Sequence, residues 1–148
     1  MRTSLASALL LLLAGCQLDG GGGTPISGDS RNVGDVTLTL RIEPARVKVG
    51  DPVRLTLRLF NNSGRERSLT YPSGQRYDFW VSKGDRKVWR WSEGKAFTQA
   101  IVTEALPGQT GKPYTEVWRP DVPGAYRAHA VLTADGYRDP LTGPVTVG

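Results

Sequence analysis

From Val36 onward the chain alternates strictly between apolar and polar positions. Val36, Leu38, Leu40 and Ile42 take one set, and Thr37, Thr39, Arg41 and Glu43 take the other. Val53, Leu55, Leu57 and Leu59 repeat the pattern against Arg54, Thr56 and Arg58. A period of two sends alternate side chains to opposite faces of an extended chain, so both runs predict strands with one buried face. Their branched residues suit a pleated sheet. Asn61-Asn62-Ser63-Gly64 then supplies turn chemistry, because Asn and Ser side chains bond to nearby backbone and Gly bends without steric cost.

More short strands follow at turn-sized intervals. Tyr77, Phe79 and Val81 alternate with Asp78, Trp80 and Ser82, and Lys83-Gly84-Asp85-Arg86 returns the chain into Lys87–Trp91 as a hairpin. Phe97–Leu106 predicts a further strand, ended by Pro107-Gly108, and Tyr114–Arg119, Gly124–Thr133 and Pro144–Val147 complete the set. Asp121-Val122-Pro123-Gly124-Ala125-Tyr126 leads into a strand in which Tyr126, Ala128, Ala130 and Leu132 share a face. A Tyr at such a strand start, with its hydroxyl bonding back across the corner, is the tyrosine corner of immunoglobulin-like sandwiches. The expectation is an all-β fold, an immunoglobulin-like antiparallel β-sandwich of about seven or eight strands over residues 36–148.

Upstream the pattern is different. Gln17–Asp35 reads QLDGGGGTPISGDSRNVGD, Gly-rich and without apolar period, which predicts a flexible tether. Before it, Leu5–Ala14 is an apolar run preceded by Arg2. It falls short of the roughly 20 residues that span a bilayer, but it suits the apolar region of a secretory signal. The run ends in Leu13-Ala14-Gly15-Cys16, which resembles the lipobox of bacterial lipoprotein signal peptides. The resemblance implies a signal peptide over residues 1–15 and lipidation at Cys16, whose thiol takes a diacylglyceryl group and whose freed amine can take another chain. Residues 16–35 then form the lipidated tether. The implied partner is membrane lipid through Cys16 acylation, and the implied location is outside the cytoplasm, anchored to a bacterial membrane of the cell envelope. Each buried CH₂ contributes about 0.8 kcal/mol, so several acyl chains anchor permanently where one is marginal.

With 148 residues, one Cys and one His, the chain supports one ordinary domain, no internal disulfide and no Cys/His zinc cage. The formal charge of +5 comes partly from Arg54, Arg58, Arg65, Arg67, Arg76, Arg86 and Arg90, which are scattered over strands and turns. Such spacing describes a solvated sheet face that deters edge pairing, and nucleic acid is not an expected partner. Catalysis is not expected either. His129 shares a face with Arg127 and Val131 and no acid is placed to orient it, no Ser sits in a nucleophile elbow, and the carboxylates are dispersed. No metal site or cofactor is indicated, Asp135 and Asp139 being the only faint oxygen cluster.

The aromatic residues separate into two classes. Trp89 and Trp91 alternate with Arg90 and are expected to pack between sheets. Trp80 lies opposite Tyr77, Phe79 and Val81, and Phe60 opposite the leucines of its strand, so both are expected to be exposed, where a large ring is a typical binding anchor. The turns at Asn62–Arg67, Lys83–Arg86 and Gln109–Lys112 are candidate contact loops. The candidate partner contacts are therefore Phe60, Arg65, Trp80, Asp85 and Gln109.

One central stretch is more specific. Tyr71-Pro72-Ser73-Gly74-Gln75-Arg76-Tyr77-Asp78-Phe79, Val88-Trp89-Arg90-Trp91-Ser92 and Lys95-Ala96-Phe97-Thr98-Gln99 occur in order, followed by Pro107-Gly108 and Pro123-Gly124-Ala125-Tyr126. With Leu57–Ser63 before them, these segments resemble the BsuPI family of bacterial intracellular proteinase inhibitors over about residues 36–134. The resemblance implies an immunoglobulin-like domain that inhibits a subtilisin-like serine protease by presenting a turn or sheet edge to its cleft. The shared residues themselves look like packing and turn residues, so they point to the fold more directly than to an inhibitory loop. The lipobox departs from the family's cytoplasmic setting, and an exported chain needs a target outside the cytoplasm. The alternative reading is a non-inhibitory envelope module that binds another protein or a ligand.

Overall fold

The computed structural model of the chain describes residues 23–148. The expected signal peptide, lipobox and Cys16 lie outside the described residues. Among the described residues the chain forms eleven strands and no helix. In order they are β1 (Ser27–Val33), β2 (Val36–Glu43), β3 (Arg46–Val47), β4 (Val53–Asn61), β5 (Arg67–Tyr71), β6 (Tyr77–Lys83), β7 (Arg86–Arg90), β8 (Val102–Leu106), β9 (Gly111–Trp118), β10 (Gly124–Leu132) and β11 (Leu141–Val147).

The alternation seen in the sequence builds the core directly. β2 and β4 pair antiparallel with Leu38 opposite Leu59, Leu40 opposite Leu57 and Ile42 opposite Leu55. All six side chains are buried, and they form the inner face of a four-stranded sheet ordered β1-β2-β4-β9. The second sheet, ordered β3-β11-β10-β6-β7, turns Phe79, Val81, Ala128, Ala130, Leu132, Leu141, Val145 and Val147 inward to meet them. Each buried Leu or Val contributes about 1.5–3 kcal/mol, so this interface is what makes the two sheets one body. The tyrosine corner is present: the Tyr126 hydroxyl donates to the Val122 carbonyl at 2.6 Å, while its ring meets the Trp118 ring edge-on at 5.0 Å. The fold is the expected all-β, immunoglobulin-like sandwich.

Three strands were not legible in the sequence pattern, and the count is accordingly higher than seven or eight. The expected tether through Asp35 is corrected first, because Ser27–Val33 is strand β1, paired residue for residue with β2. Its composition, Ser-Gly-Asp-Ser-Arg-Asn-Val, has no apolar period, and it is held by the neighbouring ladder rather than by a buried face. Gly28 sits at φ 150°, and a Cβ there would collide with the Leu40 carbonyl oxygen, so this crossing requires Gly. β3 has only two residues, and β5 offers only Leu69 and Tyr71 as buried alternates. The strand expected over Phe97–Leu106 is also corrected: only Val102–Leu106 is strand. Phe97 turns its ring toward Trp91 and Thr98 gives its carbonyl to the Gly74 N–H at 2.7 Å, which takes this stretch out of any ladder.

β5 and β8 form a two-stranded ribbon apart from both sheets. Leu69, Tyr71 and Leu106 bury its inner side, and Glu104 ties it down by accepting from Arg76 Nε at 2.5 Å and from Lys112 Nζ at 3.1 Å. Burial alone would raise the Glu104 pKa, but the hydrogen bonds from Arg76 and Lys112 outweigh it and hold the carboxyl below its ordinary value.

Two outcomes follow. Tyr126→Phe removes the corner hydrogen bond while keeping the ring, and should lower the free energy of unfolding by about 1 kcal/mol in a urea titration. The Glu104 pairing stabilises the native chain only while the carboxylate is ionised. Its contribution is complete above the unfolded carboxyl pKa and disappears as pH falls through the lower folded value. Glu104→Gln should therefore be less stable than the parent near pH 7, by on the order of 1 kcal/mol, and the two should converge in acid.

Candidate functional site

The five candidate contact residues do not form one surface: Phe60, Arg65 and Gln109 lie at one end of the sandwich, Asp85 at the other, and Trp80 midway along β6. At the start of β4, Val53 pairs with Trp118, whose ring touches Tyr126. Lys83 donates to the Pro123 carbonyl at 3.2 Å, so the Lys83–Arg86 turn belongs to this end. At the other end of β4, Phe60 and Asn61 lead into the Asn62–Arg67 loop. A nine-residue strand separates the two ends by about 27 Å. Phe60, Arg65 and Gln109 are thus brought together, and Trp80 and Asp85 are not among them.

The Asn61 end is an interlocked pair of loops. Asn61 is fully buried. Its side-chain Nδ2 donates to the carbonyls of Arg65 at 2.7 Å and Leu106 at 3.0 Å, and its Oδ1 accepts from the Ser63 N–H at 3.0 Å. The returning turn after β8 closes on the same point. Gln109 donates its N–H to the carbonyls of Asn61 at 2.9 Å and Ser63 at 3.0 Å, and its side-chain amide donates to Asn62 at 2.6 Å. Gln109 holds φ at 56°, a conformation that a non-Gly residue adopts only when its surroundings impose it. Arg65 is exposed above this frame, with no ion-pair partner among the described residues, while its carbonyl is turned inward onto Asn61 Nδ2, with Ser63 Oγ 2.9 Å away. Phe60 is half-buried rather than open: the Arg58 guanidinium lies 5.5 Å from its ring centre, in a shallow groove with Thr37 and Thr39.

The other two residues read differently. Asp85 is exposed at the hairpin tip. Trp80 is also half-buried, and its faces are occupied. His129, its partner across β10, stacks on it at 5.0 Å and 5°, and β7 on the other side brings Arg90 to 5.8 Å and Lys87 to 5.5 Å from the ring centre. Trp80 is therefore a rung in a cross-strand stack of His, Trp and cations, and the expectation of an open aromatic anchor is corrected. His129 shares a hydrogen bond with Ser82 at 2.9 Å. Among the described residues no carboxylate bonds to its ring, and burial, aided by Arg127 and Lys87, pushes its pKa down. The pair lacks the third group that would orient the imidazole for nucleophilic catalysis. β7 is the edge of its sheet, and it carries Arg86, Lys87 and Arg90 together with a bulge opposite Val81 and Ser82, devices that keep an edge from pairing.

The residues that the sequence pattern misplaced are the ones that lock the centre. Asp78 alternates with the inward residues of β6 and should face solvent, yet it is buried. Its carboxylate accepts from Arg90 Nε at 2.7 Å, Ser92 Oγ at 2.6 Å and the Phe79 N–H at 2.9 Å. Beside this knot Tyr77 stacks on both Trp91 and Tyr114 at 4.5 Å, and Phe97 lies 5.9 Å from Trp91. Trp89 and Trp91 are half-buried against the core rather than within it. Gly74 lies so close to Thr98 that a Cβ would strike the Thr98 hydroxyl. The motif segments around residues 73–79, 88–92 and 97–99 are consecutive parts of one lock.

No curated protein sequence matches the chain. Among solved structures, a cycloisomaltooligosaccharide glucanotransferase of Paenibacillus sp. superimposes with a TM-score of 0.50 at 18% identity, over 78% of this chain. The chain spans 14% of the length of that enzyme, and the likeness is one of fold. The CARDB domain of the PF1109 protein from Pyrococcus furiosus matches at a TM-score of 0.45 and 20% identity, over 76% of this chain and 92% of that one. The family described as BsuPI, intracellular proteinase inhibitor, matches residues 40–137, about two thirds of the chain, from the third position of β2's buried face to the loop beyond β10. That span contains both the interlocked loops and the Asp78 lock. The chain belongs to the BsuPI proteinase-inhibitor family.

Proposed function

We propose that this chain inhibits a subtilisin-like serine protease by occluding its cleft as an intact folded surface, and that it does so from a bacterial membrane, anchored through Cys16. Family membership supports the inhibitor role, and one geometric observation carries the mode. An inhibitor must offer an accessible loop and yet survive the enzyme that reads it. The Asn62–Arg67 loop supplies the resistance, because the Arg65 side chain is exposed while its carbonyl is engaged by Asn61 and its neighbours are fixed by Gln109. A peptide carbonyl already bonded inward cannot enter an oxyanion hole without breaking the frame that holds it. Ordering such loops before binding also removes the cost of about 0.5–1.5 kcal/mol per side chain that a flexible surface meets on docking.

The anchor rests on Leu13-Ala14-Gly15-Cys16. Because β1 begins at Ser27, covalent geometry keeps the sandwich within about 40 Å of an acylated Cys16. The target is then a protease of the envelope or its surroundings, not a cytoplasmic one.

The purified chain should titrate the activity of a subtilisin-like protease stoichiometrically and be recovered uncut by mass spectrometry. Full activity across a panel of such enzymes at micromolar excess would overturn the proposal. Asn61→Ala should destabilise the fold by about 1–3 kcal/mol by removing the side-chain donor from the Leu106 carbonyl and leaving the Arg65 carbonyl to Ser63 Oγ alone. Trypsin should then cut the Arg65–Glu66 bond in the variant while leaving it intact in the parent.

A further inference from the structure

We infer that the span Gln99–Ile101 enters the protease cleft, with Ile101 seated in an apolar specificity pocket; this assignment rests on the inhibitor reading above. Ile101 is 74% exposed, the most exposed of the large apolar residues in the described chain. Gln99 and Ala100 beside it are exposed as well. A branched apolar side chain held out in water on a three-residue span is a knob, and a single pocket is the shape that buries it.

The span is fixed at both ends. On one side the Thr98 carbonyl accepts the Gly74 N–H at 2.7 Å, in a contact so close that a Cβ at Gly74 would strike the Thr98 hydroxyl. Phe97, one residue earlier, rests against Trp91, and Ser92 is bonded to the buried Asp78 carboxylate. On the other side Val102 opens β8 opposite Tyr71, which is fully buried. Between these anchors the backbone groups of Gln99, Ala100 and Ile101 make no backbone hydrogen bonds among the described residues. The only bond from the span is that of the Gln99 side-chain amide to the Phe97 carbonyl, at 3.2 Å.

The chain bends at Ala100, so the span stands out as a short protrusion with free main-chain groups beside Ile101. Clefts that recognise strands pair with free main-chain N–H and C=O groups and accept alternate side chains into pockets. The Arg65 loop cannot meet that requirement, since its carbonyl is already bonded. The Gln99–Ile101 span can, and its fixed ends spare it the entropy that a free loop loses on docking. Ala100 adds no bulk beside Ile101. The small and apolar composition selects a protease with an apolar pocket rather than an acidic one.

Three variants of Ile101 test the assignment against the same enzyme panel, with circular dichroism and a thermal melt to confirm the fold. Ile101→Asp places a charge where an apolar pocket must close and should weaken inhibition at least about 100-fold. Ile101→Leu should stay within about tenfold of the parent. Ile101→Arg should lose the subtilisin-like target and gain a trypsin-like enzyme, a change of specificity that no purely structural role produces. Should Ile101→Asp fail to fold, the Arg variant decides. Parent-like inhibition by a folded Asp or Arg variant overturns the Ile101 assignment and leaves the inhibitor reading standing, whereas an inert parent overturns both.

Discussion

The arrangement of the whole central region depends on one buried carboxylate. Asp78 stands on β6 among residues that should face solvent, and it is covered because Arg90 and Ser92 close over it. An ion pair so placed gives little net stability, since desolvation offsets most of its attraction, but removing one partner leaves an uncompensated buried charge and costs about 3–5 kcal/mol. Its value is geometric. It fixes where β7 ends and at what angle the chain leaves the sheet, and this puts Trp91 on Tyr77 and Phe97 against Trp91. Without that departure angle Thr98 would not meet Gly74, and the exposed span after it would have no fixed end.

The family motif is thereby explained mainly by packing, Gln99 being its one residue in the span assigned to the cleft. Tyr77, Asp78, Phe79, Trp89, Arg90, Trp91, Ser92, Phe97 and Thr98 are components of the lock or of the core beneath it. Their spacing is set by the path of the chain through the lock, which is why they recognise the fold. The surfaces that the lock holds out are the Asn62–Arg67 loop at one end of the β5–β8 ribbon and the Gln99–Ile101 span at the other.

Much of this was legible in the sequence where burial followed period. The buried faces of β2, β4 and β10 are the alternating residues themselves, and the Tyr126 corner is encoded locally by the turn before its strand. β1 was illegible because it buries no stripe and exists only by borrowing β2's hydrogen-bonding edge. Asp78 and Trp80 were misplaced for a related reason. Alternation predicts which side of the sheet a residue faces, but not whether a long neighbour such as Arg90 will fold over it. The Arg65 and Gln109 loops were legible as turns, and their mutual locking was not, because Asn61 and Gln109 lie far apart in sequence. Ile101 was hidden by its neighbours: a stretch rich in apolar and β-branched residues reads as strand until a tertiary bond takes Thr98 out of register.

Rigidity at the two ends of the ribbon is achieved by different means, and the difference bears on what each end can do. The Asn61 loops are pinned from within, with the backbone groups of Asn61, Asn62, Ser63 and Arg65 engaged there, so side chains lead in meeting a partner. The Gln99–Ile101 span is pinned only at its flanks, so its backbone groups stay available to a partner. A surface that must be read as substrate but not consumed needs both kinds of element: a protruding segment with free main chain to enter the cleft, and stiff shoulders that stop the enzyme from drawing the chain further in. The two-stranded ribbon, tied through Glu104 to Arg76 beside the lock and to Lys112 on the opposite sheet, is the element that carries one to the other as a single rigid piece.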